Sequence, residues 1–191
     1  RPLRLPPLVW QNALLTFSLS LFLAGIFSFV SFLPAMVSLF TLLTIIGVGI
    51  VFDMIGVAVA AADETPFHAM ASDRVSGSRE AVWLIRQAER VANFCNDVVG
   101  DVCNTVTGAI TAALAVVLAA RYRLDQSLVS ILAIAMVAAL NVGGKAMGKV
   151  YALGRPEEIL LFVGRGFARL GWPRLDRRPS RRRVAREKKG S

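Results

Sequence analysis

Residues 93–108, NFCNDVVGDVCNTVTG, hold the densest set of side chains able to do chemistry in this sequence. At about 100° per residue, Asn93, Asn96, Asp97, Gly100, Asp101, Asn104, Thr107 and Gly108 fall on one side of a helix. Phe94, Cys95, Val98, Val99, Val102, Cys103 and Val106 take the other side, with Thr105 at the border. The carboxylates and amides are hard oxygen ligands, suited to Mg²⁺, Ca²⁺ or Na⁺ rather than to softer metals. The same helix runs on into the apolar stretch 109–120, so these groups enter a membrane, where they must face protein, water or an ion. A plainer reading carries about equal weight: the amides and carboxylates hydrogen-bond neighbouring helices and lock a bundle.

A second polar group lies in another apolar stretch. Asp53, between Phe52 and Met54, costs roughly 3 kcal/mol at the centre of a membrane helix on insertion scales, which favours a partner or a function for it. Further on, Gly144 and Gly148 have the spacing that lets two helix backbones approach closely. Lys145 and Lys149 lie one turn apart on one face of the same helix.

Other chemistries find little support. His68 is the only histidine, so no Ser–His–Asp or Cys–His set can be assembled, and neither a Walker-type glycine loop nor HExxH is present. Paired carboxylates can carry protons, yet no enzyme activity and no organic cofactor are expected. Cys95 and Cys103 are eight residues apart on one expected helix, separated by about 12 Å of rise, and cannot bridge each other there.

The elements that must position these groups follow from composition. The 191 residues are 55% hydrophobic, with a net charge of +9, and residues 8–50 carry no charged side chain. Much of the positive charge sits in 174–189, RLDRRPSRRRVAREKK. That asymmetry fits a membrane protein with a basic cytosolic end better than a soluble nucleic-acid binder. No nucleic-acid partner is expected, because no aromatic residues are interleaved with the arginines past Trp172. Attraction of the tail to anionic membrane lipid is a sharper alternative to a solvated end.

The expected fold is an all-α integral membrane protein. Spans are placed at about 8–33, 35–62, 92–120 and 127–151, with amphipathic interfacial helices at about 78–91 and 156–170. Residues 1–170 form the transmembrane domain and 171–191 a basic, disordered cytosolic tail. Pro34 marks a turn, and 8–33 reads as a retained helix rather than a signal peptide, being longer than an h-region and lacking a small-x-small cleavage site. Four spans put both termini on one side. Arg74, Arg79, Arg86 and Arg90 fall on that side and only Arg121 and Arg123 on the other, so the termini are expected to be cytosolic, with a bacterial cell membrane as the location.

Three patches resemble the transmembrane module of the CNNM/CorB/CorC family of magnesium transport proteins. Ala61-Ala62-Asp63-Glu64-Thr65-Pro66 stands where that family has a pattern like SGSETA, keeping Glu64 and Thr65. Gly100-Asp101-Val102-Cys103-Asn104 is similar to its GNNxxN-like motif. Gly144 to Ala152 matches a GEIxPKxxA pattern at Gly144, Lys149 and Ala152. The resemblance covers roughly 35–170, and the family's CBS pair has no counterpart in these 191 residues.

The resemblance implies a homodimer with a cation pocket between three helices per subunit, open to the cytosol. Its substrate ion would be Mg²⁺. By position, Gly100 and Asn104 match cation-site residues, and Asp63 replaces a serine ligand, beside Glu64. Together with the polar face, the expected cation-binding set is Asp63, Glu64, Asn96, Asp97, Gly100, Asp101 and Asn104, with Asp63, Asp97, Asp101 and Asn104 as metal ligands. Asp53, Gly144, Lys145 and Lys149 would modulate the pocket. Lys145 stands where the family has an acidic residue, and its charge repels Mg²⁺ unless Asp53, Asp97 or Asp101 neutralises it. The expected function is therefore transport or binding of a divalent cation. The alternative is a non-transporting membrane scaffold or a protein that engages anionic lipid.

Overall fold

The structure is a computed structural model that describes residues 7–28 and 35–170. The lead before Pro7, the turn at Pro34 and the tail 171–191 lie outside the described residues. The described elements are all helical: α1 (Pro7–Ser28), α2 (Ala35–Ala61), α3 (Thr65–Ser72), α4 (Ser78–Arg86), α5 (Ala88–Asn93), a π-helical turn (Phe94–Val99), α6 (Gly100–Tyr122), α7 (Gln126–Gly154) and α8 (Pro156–Leu170).

Three helices are long and apolar enough to cross a membrane: Ala35–Ala61, the continuous Ala88–Tyr122 and Gln126–Gly154. Within α1 the apolar stretch Ala13–Phe22 is shorter than that. The stretch 78–120 is divided differently from the expectation. Helix α4 stops at Arg86, Gln87 departs from helical geometry at φ −114°, and the helix that follows begins at Ala88. Residues 65–72, for which no helix was expected, form α3, with Pro66 in its first turn, where a missing N–H costs nothing.

Helix α2 is the centre of the bundle, packed against α5, α6, α7 and α8. Its buried residues Ser38, Leu42, Ile46, Gly49, Asp53, Gly56 and Val59 recur every three or four positions and form one continuous stripe. Asp53 is thus a member of the packing face rather than an interruption of a lipid-facing one. Towards the α2 N-terminus, Leu42 and Ile46 meet Val102, Val106 and Ile110 of α6, with Leu19 of α1 and Val137 of α7 alongside. Buried Thr111 donates its hydroxyl to the Thr107 carbonyl at 2.7 Å, so its polar group is satisfied within its own helix.

Towards the α2 C-terminus a second cluster joins the short helices. Ala58 and Val59 pack with Phe67 of α3, Ala81 and Leu84 of α4, Ala152 of α7 and Leu160 of α8. Here two glycines allow backbone to touch backbone. A Cβ on Gly164 of α8 would overlap the Gly77 carbonyl oxygen, and Gly77 itself has φ +91°, a conformation that side chains resist.

Candidate functional site

The polar groups inside the bundle are brought together by small residues. On α7, a Cβ at Gly148 would lie 2.7 Å from Met54 Cγ and 3.2 Å from Ile50 Cγ2, and one at Gly144 would overlap Ile50 Cδ1. The two glycines therefore seat α7 directly on α2, as their spacing predicts. That contact carries the next residue, Lys149, to Asp53: its Nζ lies 3.5 Å from Asp53 Oδ2. The carboxylate is almost wholly buried, whereas the lysine side chain is half exposed. Asp53 Oδ2 makes no hydrogen bond.

One turn further along α2, Gly56 meets the π turn. A Cβ there would overlap Asn96 Oδ1, so the amide lies flat against the bare helix backbone. Asn96 Oδ1 is the second buried oxygen without a hydrogen-bond partner among the described residues. Positions 53 and 56 are neighbours on one face of α2. Gly49, two turns back, takes Cys103 in the same way, with a Cβ-to-Cβ distance of 3.2 Å for an added methyl.

The α6–α7 contact runs in antiparallel register with these. Lys145 Nζ lies 3.8 Å from where a Cβ on Gly100 would sit, and Asn141 Nδ2 donates to Asn104 Oδ1 at 2.7 Å. Asn141, Lys145 and Lys149 recur every four residues and make a polar seam about 12 Å long down α7. At its far end a cavity of about 170 Å³ lies between α6 and α7, bordered by Asn104, Thr107, Thr111 and Asn141 on the polar side.

The expected ligand set is only partly assembled. Asn96 lies against Gly56 of α2, Gly100 lies beside Lys145, and Asn104 lies further along the seam, held by Asn141. Asp97 and Asp101 are exposed. Asp63 and Glu64 lie beyond the end of α2. Asp63 accepts from the Thr65 backbone N–H at 3.1 Å and from its hydroxyl at 3.0 Å, and those bonds, the backbone one foremost, hold its carboxyl below the usual range. Glu64 accepts from Arg86 Nε at 2.7 Å and pairs with His68 Nε2 at 2.8 Å; the Arg86 bond is the main cause of its lowered pKa. No group of three or more His, Cys, Asp or Glu side chains capable of holding a metal occurs among the described residues. Asp63, Asp97 and Asp101, expected as joint ligands with Asn104, are not gathered into one site within the chain.

No protein-family model, curated protein or solved structure matches the chain. The geometry must therefore carry the functional reading by itself. What sequence reasoning missed is the pairing of Asp53 with Lys149 and the π turn at 94–99. The first had a signal, an intramembrane acid and a glycine-flanked lysine. The second had none in the residue pattern.

Proposed function

We propose that the protein is a four-span membrane protein that binds a hard cation, Mg²⁺ foremost, between α2, the π turn and α7, and moves it across the membrane. In this reading α1 is the additional span, α4 and α8 lie in the cytosolic interface, both termini are cytosolic and the working unit is a homodimer. The observation that carries it is the pair of buried oxygens that make no hydrogen bond, Asp53 Oδ2 on α2 and Asn96 Oδ1 of the π turn, packed on Gly56 one turn further along the same helix. Buried oxygen acceptors without hydrogen bonds are costly in a low-dielectric interior, and the 3.5 Å ion pair to Lys149 compensates Asp53 only in part, so a cation or a proton donor held by both oxygens lowers that cost. The site is thereby centred on Asp53 and Asn96, with Gly100 beside it, rather than on Asp97 and Asp101. Membership of the CNNM/CorB/CorC family remains part of this proposal, supported by the order of the three sequence patches.

Thermal unfolding of the purified chain in Mg²⁺ tests the reading, because a ligand that binds the folded state raises stability with its occupancy. Millimolar Mg²⁺ should raise the Tm of the wild type and of Asp101→Ala but not of Asp53→Asn. Absence of any shift, together with absence of uptake into vesicles, sinks it.

A second reading, a non-transporting scaffold, is favoured by the two cross-ties Asp53–Lys149 and Asn104–Asn141, each of which fastens α7 to a neighbouring helix. The scaffold predicts no Mg²⁺ response in any variant and a loss of stability when either tie is cut.

A further inference from the structure

Resting on the cation-binding reading, we infer that Lys149 is a tethered competitor for the cation: its ammonium takes the place at Asp53 that the transported ion takes in turn. Three features of the site lead there. First, Lys149 Nζ is the cation at Asp53 in this structure, at 3.5 Å, yet Asp53 Oδ2 makes no hydrogen bond, so the pair is an ion pair without the directional bond that would lock it. Second, the partners are unequal in burial. Asp53 is fixed in the packing stripe of α2, whereas the Lys149 side chain is 50% exposed. A lysine near a helix end can withdraw its head to the interface while its alkyl stem stays on the apolar surface. Lys149 stands five residues before the last residue of α7, so that route is short.

Third, for a given ion the charge balance favours exchange over addition. Lys145 is one turn away on the same face, beside Gly100, and Asp53 is the only buried carboxylate among the described residues. A cation added beside both ammonium groups would meet net repulsion. A cation that replaces the Lys149 head leaves the local charge unchanged if it is monovalent and raises it by one if it is divalent. Asn96 Oδ1 then supplies the second oxygen, which Lys149 in its present position does not engage. No bond is made or broken in the exchange, and the lysine keeps its proton.

The full-length chain in detergent, titrated separately with MgCl₂ and NaCl by isothermal calorimetry, tests the inference. Lys149→Met and Lys149→Gln should bind the preferred ion at least tenfold more tightly than the wild type. Lys149→Arg should bind no more tightly than the wild type, and Asp53→Asn should not bind. If the wild type binds and both neutral variants bind equally or more weakly, competition is overturned while the cation site stands. If no variant binds either ion, the cation reading itself fails, and the competition with it. The double variant Asp53→Asn/Lys149→Met, which removes both charges, guards against misfolding: it should elute and melt as a folded protein and bind neither ion.

Discussion

Asn141 of α7 donates a 2.7 Å hydrogen bond to Asn104 of α6, joining two residues 37 positions apart in sequence. The bond closes the turn side of an antiparallel helix pair whose other polar contact is Lys145 over Gly100. It sits in a helix whose most apolar window buries none of its residues within the chain. Such an amide pair orders two otherwise interchangeable apolar surfaces.

Replacing Asn141 with Ala should therefore destabilise the protein by about 1 kcal/mol, the usual scale of an interhelical side-chain bond in a membrane. Asn104→Ala should cost a similar amount, and the double variant little more than either single one. Unfolding in mixed detergent with a double-mutant cycle measures the coupling.

The Asp53–Lys149 pair should respond unequally to truncation. Lys149→Ala strands a buried carboxylate and should cost about 2 kcal/mol, below the roughly 3–5 of a wholly buried pair because Lys149 is half exposed. Asp53→Ala leaves a lysine free to reach the interface and should cost under about 1 kcal/mol. Equal losses in the same unfolding assay would contradict the asymmetry of burial.

Two glycine contacts differ in what an added methyl meets. At Gly164 it meets the Gly77 backbone carbonyl, which cannot move without shifting the α3–α4 connection. At Gly148 it meets the side chains of Met54, at Cγ, and Ile50, at Cγ2, which can shift without moving a backbone. Gly164→Ala should lose about 2–3 kcal/mol and Gly148→Ala less, about 1–2 kcal/mol. Thermal melts of the two variants, read side by side, decide it.

Acid should loosen the end of α2. Glu64 has its folded-state pKa depressed below 4.5, chiefly by Arg86, so its contribution is present above that value and is lost as pH falls through the folded pKa. Stability should decline as pH drops below about 4.5, and Glu64→Gln should flatten part of that decline. Asp63, depressed below 3.8 by Thr65, supplies a further fall at lower pH that Glu64→Gln leaves in place. Melting temperature against pH for the two proteins measures the difference.

Helical periodicity made the membrane-length helices legible, together with the close packing at Gly144 and Gly148. It also placed Lys145 and Lys149 on one face, because i, i+4 neighbours follow from a single helix. Pairing Lys149 with Asp53 needed the axial register of α7 on α2, which no single-helix pattern contains. The polar face at 93–108 is divided at Asn96. Asn96 lies inside the π turn at 94–99 and reaches Gly56, while Asp97, Asp101 and Asn104 remain exposed together. Nothing in NFCNDVVG distinguishes that geometry from an ordinary α-helix. The separation of Asp63 and Glu64 from the interior follows from the end of α2 at Ala61, two and three residues before them.

Helix α7 buries only Gly148 and Ala152, both in its last two turns. Mechanically it is a beam clamped where it meets α2 and α8, tied to α6 at its other end by the short connection at 123–125, and held between them by one amide pair and partial contacts. The softest deformation of the bundle is then a bowing of that middle stretch, which widens the cavity beside Thr111 and Ile134 without disturbing the clamp. Spin labels on exposed Ala112 and Ala135 should give a broader distance distribution than a pair on exposed Val51 and Val150. The clamped end and the middle of one helix would thus differ in stiffness: one fixes the charges, and the other sets the width of the gap.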